Sequence, residues 1–182
     1  MEKIIKFITS AEFLFLVSGL IIFFNCIKKN NNFFDIRDII NKHFMMFSEA
    51  KGQIFVFYGT PLILAIAVLK CNCINNDIID NIIIILSIII SMLFAMLSIL
   101  SNYPNKDDLY EKTLEETYNT ILFQCVVCVL SLIISFAQYF IENDSPEIYL
   151  IVISFVLYYM IFVLIMNIFL ILKRMKALFE NR

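Results

Sequence analysis

The sequence predicts an all-α, polytopic α-helical membrane protein: two antiparallel transmembrane hairpins, an N-terminal hydrophobic helix and a cytoplasmic amphipathic helix. Three observations carry that expectation. Of 182 residues, 61% are hydrophobic and 16% charged, against about 45–50% and about 25% in an ordinary soluble domain. The apolar residues gather in runs close to the ~20 that cross about 30 Å of hydrocarbon. The charges lie between these runs and almost never inside them. Such a chain is neither disordered nor collagen-like, and a net charge of −2 argues against a basic nucleic-acid binder. Three Gly and three Pro are too few for a loop-rich, disulfide-stapled module.

The whole chain, 1–182, reads as one membrane domain with spans expected at 8–27, 54–69, 82–100, 121–141 and 148–172. The last three contain no charged residue. In the second, Gly59-Thr60-Pro61 predicts a kink, because proline removes a backbone donor and neighbouring helices must re-satisfy the freed carbonyl. The first has an apolar run only from Phe13 to Ile27, flanked by Glu12, so it spans, re-enters or lies at the interface. No small-residue cleavage site follows it, and we expect it to be retained.

Two connections are short and acidic, 72–81 and 142–147, the latter with Pro146. They pair spans two with three and four with five. The two long connections, 28–53 and 101–120, carry more information. In the first, Phe33, Ile36, Ile40, Phe44 and Phe47 recur at helical spacing, while Asp35, Asp38, Lys42 and Glu49 fall largely elsewhere. That pattern predicts an amphipathic helix on the membrane surface or docked under the bundle. In the second, Leu109, Leu114 and Tyr118 lead unbroken into span four. Asp107, Asp108, Glu111, Glu115 and Glu116 suit the positive end of that helix's dipole.

Orientation follows from the 14 Lys and Arg. Only Lys70 lies beside the short turns, and Lys3 and Lys6 sit at the N-terminus; Lys28, Lys29, Arg37, Lys42, Lys51, Lys106 and Lys112 lie in the long connections. Lys173, Arg174, Lys176 and Arg182 lie in the tail, 173–182. The positive-inside rule then places the long connections and the C-terminus in the cytoplasm. Tyr139 and Tyr149 flank the outer turn, as residues of an aromatic belt do.

No catalytic motif, metal site or cofactor is expected. The one histidine, His43, has no second His beside it and reads as a solvated or interfacial residue. Cys125 and Cys128 form C-x-x-C inside a span, where zinc would lack its other ligands, so apolar packing is the expectation. Cys71 and Cys73 are too close to bridge to each other without strain, so a disulfide there would go to another chain. The most organised polar feature is in span four. Gln124, Cys128, Ser131, Ser135 and Gln138 recur at spacings of four, three, four and three, and Thr120 and Thr117 extend the line. This stripe is either helix–helix glue or the lining of a narrow pore around an oligomer axis. Ser87, Ser91, Ala95 and Ser98 form a small-residue packing seam in span three. Asn167 in span five is expected to seek a partner in the bundle.

Two segments carry a family likeness: Leu114-Glu115-Glu116-Thr117-Tyr118-Asn119-Thr120-Ile121-Leu122-Phe123 before a span, and 167–179 with its basic stop Leu172-Lys173-Arg174-Met175-Lys176. Together with the two-hairpin layout, they resemble the small four-span membrane proteins of bacterial antiphage islands, the membrane subunit of the Kiwa system among them. The small membrane accessories of type VI CRISPR loci are a second likeness. The resemblance implies a homo-oligomeric inner-membrane protein that senses infection-linked membrane disturbance and binds a cytoplasmic effector. The residues then nominate a partner surface: the amphipathic helix, the acidic lead-in to span four, and Lys173, Arg174 and Lys176. A non-enzymatic antiviral scaffold is therefore the leading expectation, and an ion-conducting or membrane-permeabilising oligomer lined by span four is the alternative. Direct nucleic-acid binding is not expected.

Overall fold

A computed structural model describes residues 36–47, 51–102, 108–140 and 147–180, with isolated positions 14, 17–19 and 21. The expected helix at 8–27, as an element, lies outside the described residues, as do Phe33 and Asp107; of Asp108 only the backbone is described. Five helices follow within these limits. α1 is Arg37–Met45. α2 runs through Lys51–Ile54, a π-helical turn Phe55–Gly59, and Thr60–Cys71. α3 is Asn76–Ser101, α4 is Asp108–Phe140 and α5 is Glu147–Glu180. Four helical stretches are long and apolar enough to cross a membrane: Gly52–Cys71, Asn76–Ser101, Tyr110–Tyr139 and Ile148–Glu180.

Local chemistry explains where the helices begin, break and end. Pro61 has no N–H to give the carbonyl four residues back, and its ring crowds that carbonyl. The helix absorbs this as the wider π turn at Phe55–Gly59, immediately before the proline. Gly59 belongs there for packing reasons, since a Cβ on it would come within 3.1 Å of the Phe55 ring. α3 starts several residues earlier than its apolar run because Asn75 caps it, accepting a hydrogen bond from Ile78 N–H at 2.9 Å. Asp77 in the first turn adds a favourable charge to the dipole. α4 takes the acidic lead-in as helix, as its spacing predicted. α5 continues to Glu180, so Lys173, Arg174 and Lys176 sit on a helix and not on a free tail.

The helices pack in the lateral order α3–α4–α5–α2, with α1 set against α4. Residues 72–75 join α2 to α3, yet the main partner of α2 is α5 and that of α3 is α4. Half of the α4 span is buried, against 11% for α2 and 17% for α3, so α4 is the axis of the bundle. One core cluster lies toward the 72–75 end and joins Ala65, Ile79, Leu86, Cys128, Leu157 and Leu164. The other lies at the α1 end and joins Leu93, Leu100, Ile121, Cys125, Ile171 and Leu178. Lipid tails are as apolar as leucine, so van der Waals fit and hydrogen bonds hold such helices together more than hydrophobic transfer does.

Two side chains of α5 tie down the 72–75 connection. The Ile74 N–H donates to Ser154 Oγ at 3.0 Å in a buried site, and Tyr158 donates its hydroxyl proton to the Asn72 carbonyl at 3.2 Å. Replacing Ser154 by Ala leaves a buried N–H unpartnered, a loss of about 1–3 kcal/mol. Hydrogen exchange at the Ile74 amide is expected to accelerate selectively in Ser154→Ala, with the α1 end unchanged.

Candidate functional site

The polar and charged side chains converge at the end of the bundle where α1, the start of α4 and the end of α5 meet. α1 is held there by an aromatic cluster. His43 is 0% exposed. Its ring stacks on Phe123 at 4.1 Å between centroids and 4° between planes, and meets Phe47 edge-on at 5.5 Å. Its Nε2 lies 2.6 Å from the Tyr58 hydroxyl of α2. The expectation of a solvated or interfacial His43 is therefore wrong. The physical reason is geometric, because residues 36, 40, 43 and 47 share one helical face and a neutral imidazole packs as an aromatic ring. Ile36 and Ile40 are half-buried on that face and Phe47 is buried. Phe44, one position round the helix, is partly exposed and contacts Tyr58 at 5.2 Å.

Charges lock the same junction. Arg174 of α5 pairs with Glu116 of α4 at 2.9 Å, both mostly buried, and its Nη1 lies 3.2 Å from Met46 Sδ. Thr120 Oγ1 donates to the Glu116 carbonyl at 2.8 Å and lies 3.5 Å from Met46 Sδ. Lys42 of α1 lies between Asp38 at 3.4 Å and Glu115 of α4 at 3.5 Å. The hydrogen bond and charge of Asp38 hold the Lys42 ammonium above the ordinary lysine value. Of the expected partner surface, then, Glu116 and Arg174 are engaged with each other, while Glu111, Glu115, Lys173 and Lys176 remain open to the surface.

The span-four stripe faces the interior of the protomer: Thr117, Thr120, Gln124, Cys128, Ser131, Ser135 and Gln138 are all buried. Three of its hydroxyls satisfy themselves on their own helix, Thr117 on Thr113, Thr120 on Glu116 and Ser131 on Val127. The Cys128 thiol donates to the Leu86 carbonyl of α3 at 3.3 Å. Among the described residues, the amide of Gln124, Ser135 Oγ and Gln138 Oε1 have no hydrogen-bond partner, while Asn167, buried on α5, lies beside the Tyr58 hydroxyl. The small-residue seam of Ser87, Ser91, Ala95 and Ser98 points the other way, outward from the bundle. Ser87 and Ser91 bond back to the carbonyls of Ile83 and Ser87.

No cluster of three or more His, Cys, Asp or Glu suited to a metal occurs among the described residues. Comparison with protein-family models, curated proteins and solved structures gives no match. The site residues that sequence reasoning missed are Tyr58, Phe123, Met46, Ser154 and Tyr158. Each lies within an apolar run and carries no polar periodicity, so only the partner across the helix interface marks it out.

His43 makes the docking of α1 pH-dependent. Burial, and after it the nearby charge of Arg174, lower its pKa from 6.5 to about 4. The docked ring is thus neutral, and docking is at full strength above about pH 6.5. As the pH falls from 6.5 toward 4, released α1 takes up a proton that docked α1 refuses. Docking then weakens by about 1.4 kcal/mol per pH unit, on the order of 3 kcal/mol in all. Amide exchange of α1, corrected for intrinsic rates, is expected to rise between pH 7 and pH 5. In His43→Phe, which keeps the stack on Phe123, that rise is expected to disappear.

Proposed function

We infer that this chain is a non-enzymatic membrane subunit that holds a cytoplasmic docking platform against the bilayer for a soluble effector protein. The observation that carries the reading is the concentration of charge at the α1 end. Glu111, Glu115, Lys173 and Lys176 are exposed around a junction made rigid by the buried His43 stack and the Glu116–Arg174 pair. The described span interiors hold only uncharged polar groups. Clustered surface charge on a rigid base suits electrostatic recognition of a partner. The positive-inside bias supports a cytoplasmic position for this end and for the C-terminus, in the cell inner membrane. The resemblance to four-span antiphage membrane proteins supports a place in prokaryotic defence, with the membrane as the thing sensed and homo-oligomerisation as the setting.

The buried stripe supports a second reading, an oligomeric channel or membrane-permeabilising effector. Gln124, Ser135 and Gln138 carry polar atoms in the bundle interior with no partner among the described residues. Because the stripe faces inward, such a path would run through each protomer and not around an axis between protomers.

Reversing Glu111 and Glu115 to Lys together with Lys173 and Lys176 to Glu tests the platform. Co-purification of a cytoplasmic protein encoded beside the chain, and resistance of the host to phage, are both expected to be lost while membrane insertion persists. Purification of the unaltered chain alone from its native locus would sink the reading. The channel reading expects conductance in planar bilayers that Gln124→Leu with Ser131→Leu abolishes.

A further inference from the structure

A cavity of about 300 Å³ opens between α1 and α4. Lys42, Met45 and Met46 line it from α1, and Lys112, Glu115, Glu116 and Asn119 from α4. That volume is at the lower end of the range for small-ligand sites, about 300–1,000 Å³. Its position is at the boundary between the charged end of the bundle and the uncharged span that starts beyond Asn119. Met45 on its rim is 67% exposed. An apolar rim beside charged walls is the surface that a phospholipid, with tails in the bilayer and headgroup at the boundary, presents its complement to.

The charge count within the cavity selects the headgroup. Glu116 is neutralised by Arg174. Lys42 pairs with Asp38 and Glu115, of which only Glu115 lines the cavity. Lys112 adds a positive charge on the same wall. Asn119 is only 8% exposed and lines the cavity. The lining is therefore neutral overall, with Lys42 and Lys112 set against Glu115 and Glu116 and the Asn119 amide beside them. A phosphate fits Lys112 and the Asn119 N–H donors, and a primary ammonium fits the Glu115 carboxylate. A quaternary ammonium has no N–H to donate, and an anionic headgroup leaves the carboxylate pole unanswered.

The geometry points to a binding site for the headgroup of an aminophospholipid, phosphatidylethanolamine in type, in the cavity between α1 and α4. It does not rest on the docking-platform reading, and it assigns the α1 junction a lipid that would hold the platform at a fixed depth. The test uses the full chain alone, without any protein partner, so that failure of one reading is separate from failure of the other. The chain is reconstituted in nanodiscs of phosphatidylethanolamine, phosphatidylcholine and phosphatidylglycerol with matched tails, mixed in equal parts. Lipid retained after release is then counted by native mass spectrometry. Phosphatidylethanolamine is expected to be retained about tenfold over the other two, the worth of one charge-assisted hydrogen bond. Lys112→Glu and Asn119→Leu are each expected to remove that preference. Glu115→Gln, which deletes a negative charge from the lining, is expected to turn it toward phosphatidylglycerol. Amide exchange of α1 serves as the folding control for each variant. Equal retention of the three lipids by the unaltered chain overturns the site, as does a preference unchanged in Lys112→Glu. Displacement of the lipid by millimolar soluble phosphoethanolamine would overturn the lipid as its source.

Discussion

One constraint shapes the bundle: a helix with a polar face cannot show that face to hydrocarbon. Hydrogen-bonding groups in lipid find no water, so α4, with polar side chains along its length from Thr117 to Gln138, must be surrounded by protein. α3 and α5 close on it from two sides and α1 covers part of its charged end. α2, which has no comparable polar stripe, is left at the edge against α5. The difference in burial between α4 and α2 is the direct result.

The two ends of the bundle solve the same problem with different chemistry. At the 72–75 end, the backbone groups that leave helix α2 and precede α3 are bonded by Ser154 and Tyr158, so a reversal of few residues is closed by side chains from a distant helix. At the α1 end the cover is itself a helix. His43 reaches into the bundle as a neutral ring, stacked on Phe123 and bonded to Tyr58, while Glu116 and Arg174 meet beside it over Met46. The junction combines a group that must stay uncharged with an ion pair beside it, so its packing depends on pH.

Much of this was legible in the chain. Spans two to five follow from hydropathy, the amphipathic character of α1 from its spacing, and an irregularity in α2 from Gly59-Thr60-Pro61, although its form as a π turn does not. Continuity of the acidic lead-in with span four was legible because Leu109, Leu114 and Tyr118 keep the helical period. His43 was misjudged because residue type was given more weight than position: it stands on the same face as Ile36, Ile40 and Phe47, and that period already placed it inside. Ser154, Tyr158 and Tyr58 carried no such signal. One hydroxyl in an apolar run is tolerated in lipid by bonding back to its own helix, as Ser87 and Ser91 do, so its sequence context does not say whether a partner waits across the interface.

The amino-acid sequence alone determined which runs among the described residues are apolar enough to cross and roughly where they turn, because burial of uncharged and charged groups in hydrocarbon is decided residue by residue. It did not determine neighbours. α2 and α3 follow one another in the chain but find their main partners in α5 and α4, and the two serine-bearing faces of α3 and α4 point in opposite directions. Those choices depend on shape fit between faces that are all about equally apolar, and on hydrogen bonds between residues as far apart as Ile74 and Ser154. Only the tertiary structure brings such terms together.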